Sequence, residues 1–331
     1  MAGRRQKKSG RRSYAWRYRG RIVACVFVEV IIICALVIMI GWNKGVKEWF
    51  EQFEQPVLKE VDISGINSPN AILMQARGGK ILGEINGEAQ IYPASMTKIM
   101  TVILGIENFD DLDEKITLTN EMFSGLYEQD ATQAGFQPGE EVRVIDLLYG
   151  AMLPSGAECC IALADTISGS EADFAELMKK KAGKLGMENT HFCASTGLHN
   201  PDHYSTVKDI AVLMKYCIKN DTFREIVETS RHSTGVTNIH PDGITYYSTM
   251  FKNLSDPTVT GGKILGGKTG YTSEAGDCLV SFAEIEGREY IFVSAGASGA
   301  DGNTIPHIQD AVTVYNRVGA AIEEKMNDNN K

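Results

Sequence analysis

The sequence predicts an α+β protein, with an antiparallel sheet built from strands near both ends of the chain, flanked by terminal helices, and a helical lobe inserted between them. Strand-like apolar runs occur early, at Ala71–Met74 and Lys80–Leu82, and again late, at Cys278–Ile285 and Tyr290–Ala297. Helical periodicity fills residues 140–220 between them. At 331 residues and 43% hydrophobic content the chain is long enough to bury a sizeable core.

Taken in order, residues 1–21 carry nine Lys or Arg and no acid, whereas residues 43–331 carry 24 basic against 41 acidic residues, a net −17. Ile22 to Ile40 is apolar except for Glu29. As a helix it would reach about 29 Å, the thickness of a bilayer's hydrocarbon layer. The basic head then predicts a cytoplasmic N-terminus, with the bulk of the chain on the other side. A cleaved signal peptide would have a shorter apolar stretch and small residues at the cut, and Gly41-Trp42-Asn43-Lys44 offers none. The expected organisation is a cytoplasmic segment 1–21, a transmembrane anchor 22–42, a stalk 43–60 and an extracytoplasmic domain 61–331. The acidic outer domain and the head's place beside a membrane span argue against a nucleic-acid partner.

Within the domain, Arg77-Gly78-Gly79 between two apolar runs marks a hairpin. A buried helix is expected from Ser95 through Ile106. Further helices are expected at Val144–Tyr149, Cys160–Ile167, Phe174–Leu185 and Lys208–Ile218. Glu286-Gly287-Arg288 turns the chain between the late strands, and a closing helix spans about 308–325. Cys159, Cys160, Cys193, Cys217 and Cys278 have no regular spacing and read as free, buried thiols.

Three short motifs carry chemistry. Ser95-Met96-Thr97-Lys98 opens an apolar helix, so the Lys98 amine falls one turn from the Ser95 hydroxyl. A lysine buried there loses proton affinity and can take the proton of that hydroxyl. Ser155-Gly156-Ala157 and Lys268-Thr269-Gly270 follow in chain order. A second Ser-x-x-Lys, Ser205-Thr206-Val207-Lys208, follows Pro201-Asp202-His203-Tyr204 and reads as a helix N-cap at Ser205. One or two such matches are expected by chance in a chain this long.

This ordered set resembles that of β-lactamases and penicillin-binding proteins. In particular it resembles the serine D-alanyl-D-alanine carboxypeptidases of low molecular weight, peptidase family S11. The likeness extends over residues 68–300 and includes the run from Leu185 to Phe192, Gly197-Leu198 and Tyr204-Ser205. It implies a β-lactamase/transpeptidase-like fold with the site in the cleft between sheet and helical lobe. It also implies Ser95 as nucleophile, Lys98 as its base and Ser155 in a second relay. Lys268 would add charge beside that relay, Thr269 a hydroxyl for the substrate carboxylate, and Gly270 room for the substrate strand. The backbone N–H groups of Ser95 and Tyr271 would form the oxyanion hole. No Glu-x-x-Leu-Asn is present, which favours a carboxypeptidase over a β-lactamase. The implied protein is a single-pass membrane enzyme without cofactor or metal, trimming peptidoglycan stem peptides and trapped by β-lactam antibiotics. The alternative is a degenerate relative that binds wall peptide without turnover.

Two departures from the family pattern stand out. Ala157 replaces the asparagine of Ser-x-Asn, whose amide would contact the base and the substrate carbonyl; Glu158 beside it reads as a surface or capping residue. No arginine lies between Arg288 and Arg317, where some relatives help bind the substrate carboxylate. Relatives also often carry a C-terminal β domain and amphipathic anchor, so the N-terminal span is the expected anchor here.

Two rival motifs fail on context. Gly262 to Thr269 matches the P-loop pattern, but a P-loop needs a strand before it and a helix after it, and Gly270–Gly276 instead leads into a strand. His191, His199 and His203 invite a zinc site, but Pro201 prevents His199 and His203 from sharing a regular helix face.

Overall fold

The structure, a computed structural model, describes residues 58–298 and 305–329, all within the compact unit Val57–Lys331. The basic segment, the apolar span and nearly all of the stalk lie outside the described residues. Among those described, no helix is long and apolar enough to cross a membrane.

The early hairpin pairs β1 (Asn70–Gln75) with β2 (Ile81–Ile85). Its turn uses Gly78 and Gly79 at φ 86° and 73°, left-handed angles that a side chain would strain. The late strands are β8 (Gly262–Thr272), β9 (Gly276–Ile285) and β10 (Arg288–Ala297). Glu286 and Gly287, both at positive φ, make the two-residue turn between β9 and β10. With β7 (Thr258–Val259) they complete one antiparallel sheet in the order β2-β1-β10-β9-β8-β7.

Both faces of this sheet are covered, so its strands are apolar almost throughout and do not alternate with polar residues. The two-residue period still sorts the side chains. Leu73, Leu279, Tyr290 and Phe292 meet Val314, Tyr315, Val318 and Ile322 of the closing helix α8 (Pro306–Asn329). Ile72, Val280, Phe282, Ile291 and Val293 face the other core, formed with the helical lobe. The expected pair of terminal helices is therefore half observed. On the N-terminal side, Leu58, Val61 and Ile63 come from irregular chain and pack into the α8 core.

The lobe contains α1 (Lys98–Asn108), α2 (Val144–Met152), α3 (Ala157–Ser168), α4 (Glu171–Leu185), α5 (Val207–Cys217) and α6 (Asp221–Glu228). Helix α1 is its axis: Lys98 to Gly105 are all buried, and it packs against α2, α3, α5 and α6. Two small hairpins, β3 (Lys115–Thr117) with β4 (Glu141–Arg143) and β5 (Arg231–Ser233) with β6 (Thr245–Tyr247), flank the lobe. A short α7 (Thr249–Asn253) packs on β8.

Two local expectations are corrected. Helix α5 is capped by Thr206, whose hydroxyl accepts from the Asp209 N–H at 3.0 Å, and not by Ser205. Ser205 is drawn away because its backbone pairs with Ile91 in an isolated bridge. The cysteines named above are all free, but Cys193 is only half-buried.

Candidate active site

The chain enters the site under strain. Ala94 sits at φ 47°, a left-handed angle costly for a residue with a side chain. A single 3-10 turn, Ala94–Thr97, follows before α1 begins at Lys98. The helix expected from Ser95 thus starts three residues later, because the tight turn is needed to lift Ser95 to the cleft. Gly197 holds this corner in place. A Cβ there would sit 2.0 Å from the Ala94 carbonyl oxygen, so only glycine lets the two backbones meet.

The one-turn spacing then gives the contact it predicts. Lys98 Nζ lies 2.9 Å from Ser95 Oγ and donates at 2.6 Å to the Thr196 carbonyl. One turn on, Thr101 Oγ1 donates at 2.6 Å to the Ser195 carbonyl. Glu171 accepts from both the N–H and the hydroxyl of Ser195. The segment is thus bolted along one face of α1. His203 closes it from behind. Its Nδ1 accepts from the Cys193 N–H at 3.0 Å, which leaves Nε2 to donate to Thr97 Oγ1 at 2.8 Å. Burial holds its pKa down to about 4, so it stays neutral and serves as a structural strut.

Burial also lowers the pKa of Lys98; the nearby carboxyls Glu158 and Glu171 oppose that shift. Lys268 is buried too, and its pKa is pushed well below the ordinary lysine range, by burial first and by Lys98 second. Two amines in one dry site cannot both hold a proton cheaply. With its proton affinity reduced by burial, Lys98 is placed to take the proton of the Ser95 hydroxyl 2.9 Å away while it donates to Thr196. That is the arrangement an activated serine requires.

The third motif lies on β8, confirming strand and not P-loop. Lys268 Nζ donates to the Thr269 carbonyl at 2.9 Å. Thr269 Oγ1 lies 2.6 Å from Thr249 Oγ1, so the first hydroxyl of α7 orients the second. Gly270 has a more immediate task than making room for substrate. A Cβ there would lie 2.9 Å from the Ser95 nitrogen and 3.1 Å from Ala94 Cβ. It brings strand and serine turn together. Gly270→Ala is expected to push the Ser95 N–H out of line and cost about 100-fold in acylation rate. Stopped-flow acylation measures this, and an unchanged rate would show that Ser95 N–H is not an oxyanion donor. Beyond Ile264, whose N–H donates to the Pro257 carbonyl, β8 has a sheet partner on one side only among the described residues, leaving an edge for an extended peptide.

Ser155 stands at φ 74°, another left-handed angle, in the turn that leads into α3. Among the described residues no hydrogen bond joins its hydroxyl to either lysine. The first turn of α3 nevertheless lies beside both amines. Their charges bear on Cys160, whose thiol burial lifts to about 12 and so keeps inert. Ala157 is buried at the helix start. Glu158 is neither a surface nor a capping residue. It is 0% exposed, and it turns back to accept from the N–H groups of Ala134 at 2.6 Å and Gly135 at 3.0 Å. At the mouth of the site a cavity of about 340 Å³ is lined by Gln129, Asp130, Leu198, His199, Tyr271 and Glu274. Tyr271 is 67% exposed there.

The three histidines go separate ways. His191 bonds the Asp202 carbonyl, His199 stacks edge-on with Tyr92, and His203 is the strut. Among the described residues no group of three metal-binding side chains converges.

Comparison with known proteins agrees with this geometry. The family of D-alanyl-D-alanine carboxypeptidases, peptidase family S11, matches residues 57–299. The chain belongs to that family. It is 34% identical over 231 residues to the D-alanyl-D-alanine carboxypeptidase DacF of Bacillus subtilis, covering 69% of this chain and 57% of that protein. It is 32% identical over 262 residues to DacC of Escherichia coli, covering 72% and 58%. The chain thus spans just under three-fifths of these relatives' length. Among solved structures, a DD-transpeptidase of Streptomyces superposes with a TM-score of 0.69 at 29% identity, over 79% of this chain and all of that one. The S11 transpeptidase-like fold is therefore the fold of residues 58–298, with α8 closing its sheet.

Thr196 and Thr249 belong to the site but escaped the sequence reading, which took Glu158 for a surface or capping residue. Gly197-Leu198 was the only nearby signal, and it marks the corner and not its hydrogen bonds.

Proposed function

We propose that this protein is a membrane-anchored serine D-alanyl-D-alanine carboxypeptidase, acting outside the cytoplasm on peptidoglycan stem peptides. The contact between Ser95 Oγ and the buried Lys98 amine carries this reading. The names of the relatives supply the substrate.

The peptide lies along the open edge of β8 with its terminal carboxylate on Thr269, held ready by Thr249. Lys98 takes the Ser95 proton as Oγ attacks the carbonyl of the penultimate D-alanine. The Ser95 and Tyr271 N–H groups take up the oxyanion charge. The tetrahedral species collapses, the peptide bond breaks, and the proton that Lys98 took from Ser95 passes by way of the Ser155 hydroxyl, which gives one proton to the departing D-alanine amine and takes one from Lys98, with Lys268 alongside. Water then cleaves the ester and regenerates Ser95. A penicillin opens its β-lactam amide in the same attack, but its leaving amine stays tethered in the site and obstructs water. Residues 22–42 anchor the protein, with 43–60 as stalk and the enzyme domain outside.

Full-length protein is expected to release D-alanine from a peptide ending in D-Ala-D-Ala, and to stay with membranes through a high-salt wash. Externally added protease should remove the domain from intact cells. Penicillin binding without D-alanine release would favour the degenerate relative, for which Ala157 is the specific pointer. A soluble form beginning near residue 43 would replace the anchor with a cleaved leader.

A further inference from the structure

The geometry points to Glu158 as a positioning residue for Ser155, acting through the backbone of residues 132–136. This inference rests on the proposed serine peptidase reading and deepens it. Ser155 is held at φ 74°, and such a conformation persists only where its surroundings over-determine it. The next residue, Gly156, is wedged between helix and loop. A Cβ on it would lie 2.8 Å from Ala134 Cβ and 3.0 Å from Glu158 Oε2. The height of the Ser155 turn therefore follows the position of Ala134.

That position is set from inside. Thr132, Gln133 and Gly135 are exposed, so little packing holds the loop from outside. Thr132 accepts from the Ala157 N–H at 2.8 Å, and Glu158 Oε1 takes the next two free amides, those of Ala134 and Gly135. These bonds run from the first turn of α3 to the loop and close a clamp around Gly156. The other carboxyl oxygen, Oε2, is buried with no hydrogen-bond partner among the described residues. A carboxyl drawn inside the fold in this way is held by the loop amides that it binds. Two routes could link Glu158 to the chemistry: the clamp, through Oε1, or its charge, which bears on Lys98 together with that of Glu171. The two short amide bonds favour the clamp.

The two routes separate by substitution in the full-length chain. Glu158→Gln keeps a carbonyl oxygen for the two amides and removes the charge. Glu158→Asp keeps the charge and withdraws it by one methylene. With a fluorescent penicillin, the affinity of the initial complex and the rate constant of acylation are measured separately, with thermal melting as a check on folding. The expected result is acylation within about threefold of wild type for Glu158→Gln. For Glu158→Asp and for folded Glu158→Ala, it is a loss of about 10- to 100-fold, with initial affinity unchanged. A Glu158→Gln rate as low as that of Glu158→Asp would overturn the clamp in favour of charge. Wild-type acylation in Glu158→Asp, or affinity falling in step with rate, would overturn positioning altogether. Wild-type protein that takes no penicillin would overturn the proposed function and this inference with it. Normal wild-type labelling beside an unimpaired Glu158→Asp would overturn this inference alone.

Discussion

Ser95→Ala protein is expected to take up no fluorescent penicillin and to release no D-alanine, while Ser205→Ala does both at the wild-type rate. Both serines begin a Ser-x-x-Lys and both precede a helix, so the four-residue motif by itself treats them alike. Their surroundings do not. Ser95 is half-buried at a strained corner with a buried amine 2.9 Å away. Ser205 is fully buried, its hydroxyl is 2.8 Å from Thr190 Oγ1, and its backbone is paired with Ile91. Its lysine, Lys208, points outward to pair with Glu88. Loss of the Ser205 hydroxyl should cost about 1 kcal/mol of stability and nothing in chemistry, because Thr190 still donates to Asp209. Intact-protein mass spectrometry of the penicillin adduct decides the matter. An adduct that persists in Ser95→Ala would remove Ser95 as nucleophile and end the proposed mechanism.

Lys98→Arg is expected to lower acylation by about 10³- to 10⁴-fold, the upper part of the range for losing a general base. A guanidinium does not give up its proton in a protein, and its planar fork cannot reproduce one amine shared by a hydroxyl and a carbonyl. The pH dependence follows with a definite sign. Burial lowers the Lys98 pKa from its ordinary 10.5, and only the neutral amine can accept the serine proton. Wild-type acylation should therefore rise with pH through that lowered pKa and level off above it. In Lys98→Arg this rising limb should vanish. The initial affinity for penicillin should change little, because the proposed mechanism places the carboxylate end on Thr269 and not on Lys98. Acylation rates across the pH range test both statements, and a Lys98→Arg protein within threefold of wild type would sink the base assignment.

The sequence carried the parts of this molecule that depend on short-range order. Short apolar runs located β1, β9 and β10, and helical periodicity located α1 to α5, because an unbroken apolar run and a repeat of about 3.6 residues are local patterns that hold whatever they pack against. It missed α6 and α7. Helix α6 has only eight residues and α7 five, too few for a period to stand out among turn residues. Its reading of Glu158 failed for a different reason. Neighbours on a helix do point apart, but the side facing away from Ala157 is covered by the Ala134–Gly135 loop and not by solvent.

By itself the sequence determined that Ser95 and Lys98 would meet, since a one-turn spacing brings two side chains together without help from the rest of the chain. It also determined the order of the three motifs and the α+β class. Tertiary structure decided what completes the site. The carbonyl that takes the Lys98 hydrogen bond comes from Thr196, 98 residues away. The hydroxyl that orients Thr269 comes from Thr249. The need for glycine at 197 and 270 arises from backbones that touch only after the sheet and the lobe have closed. Local spacing fixes which side chains share a face. Burial, backbone approach and the partners of polar groups depend on segments far apart in the chain, so they are settled only when those segments pack.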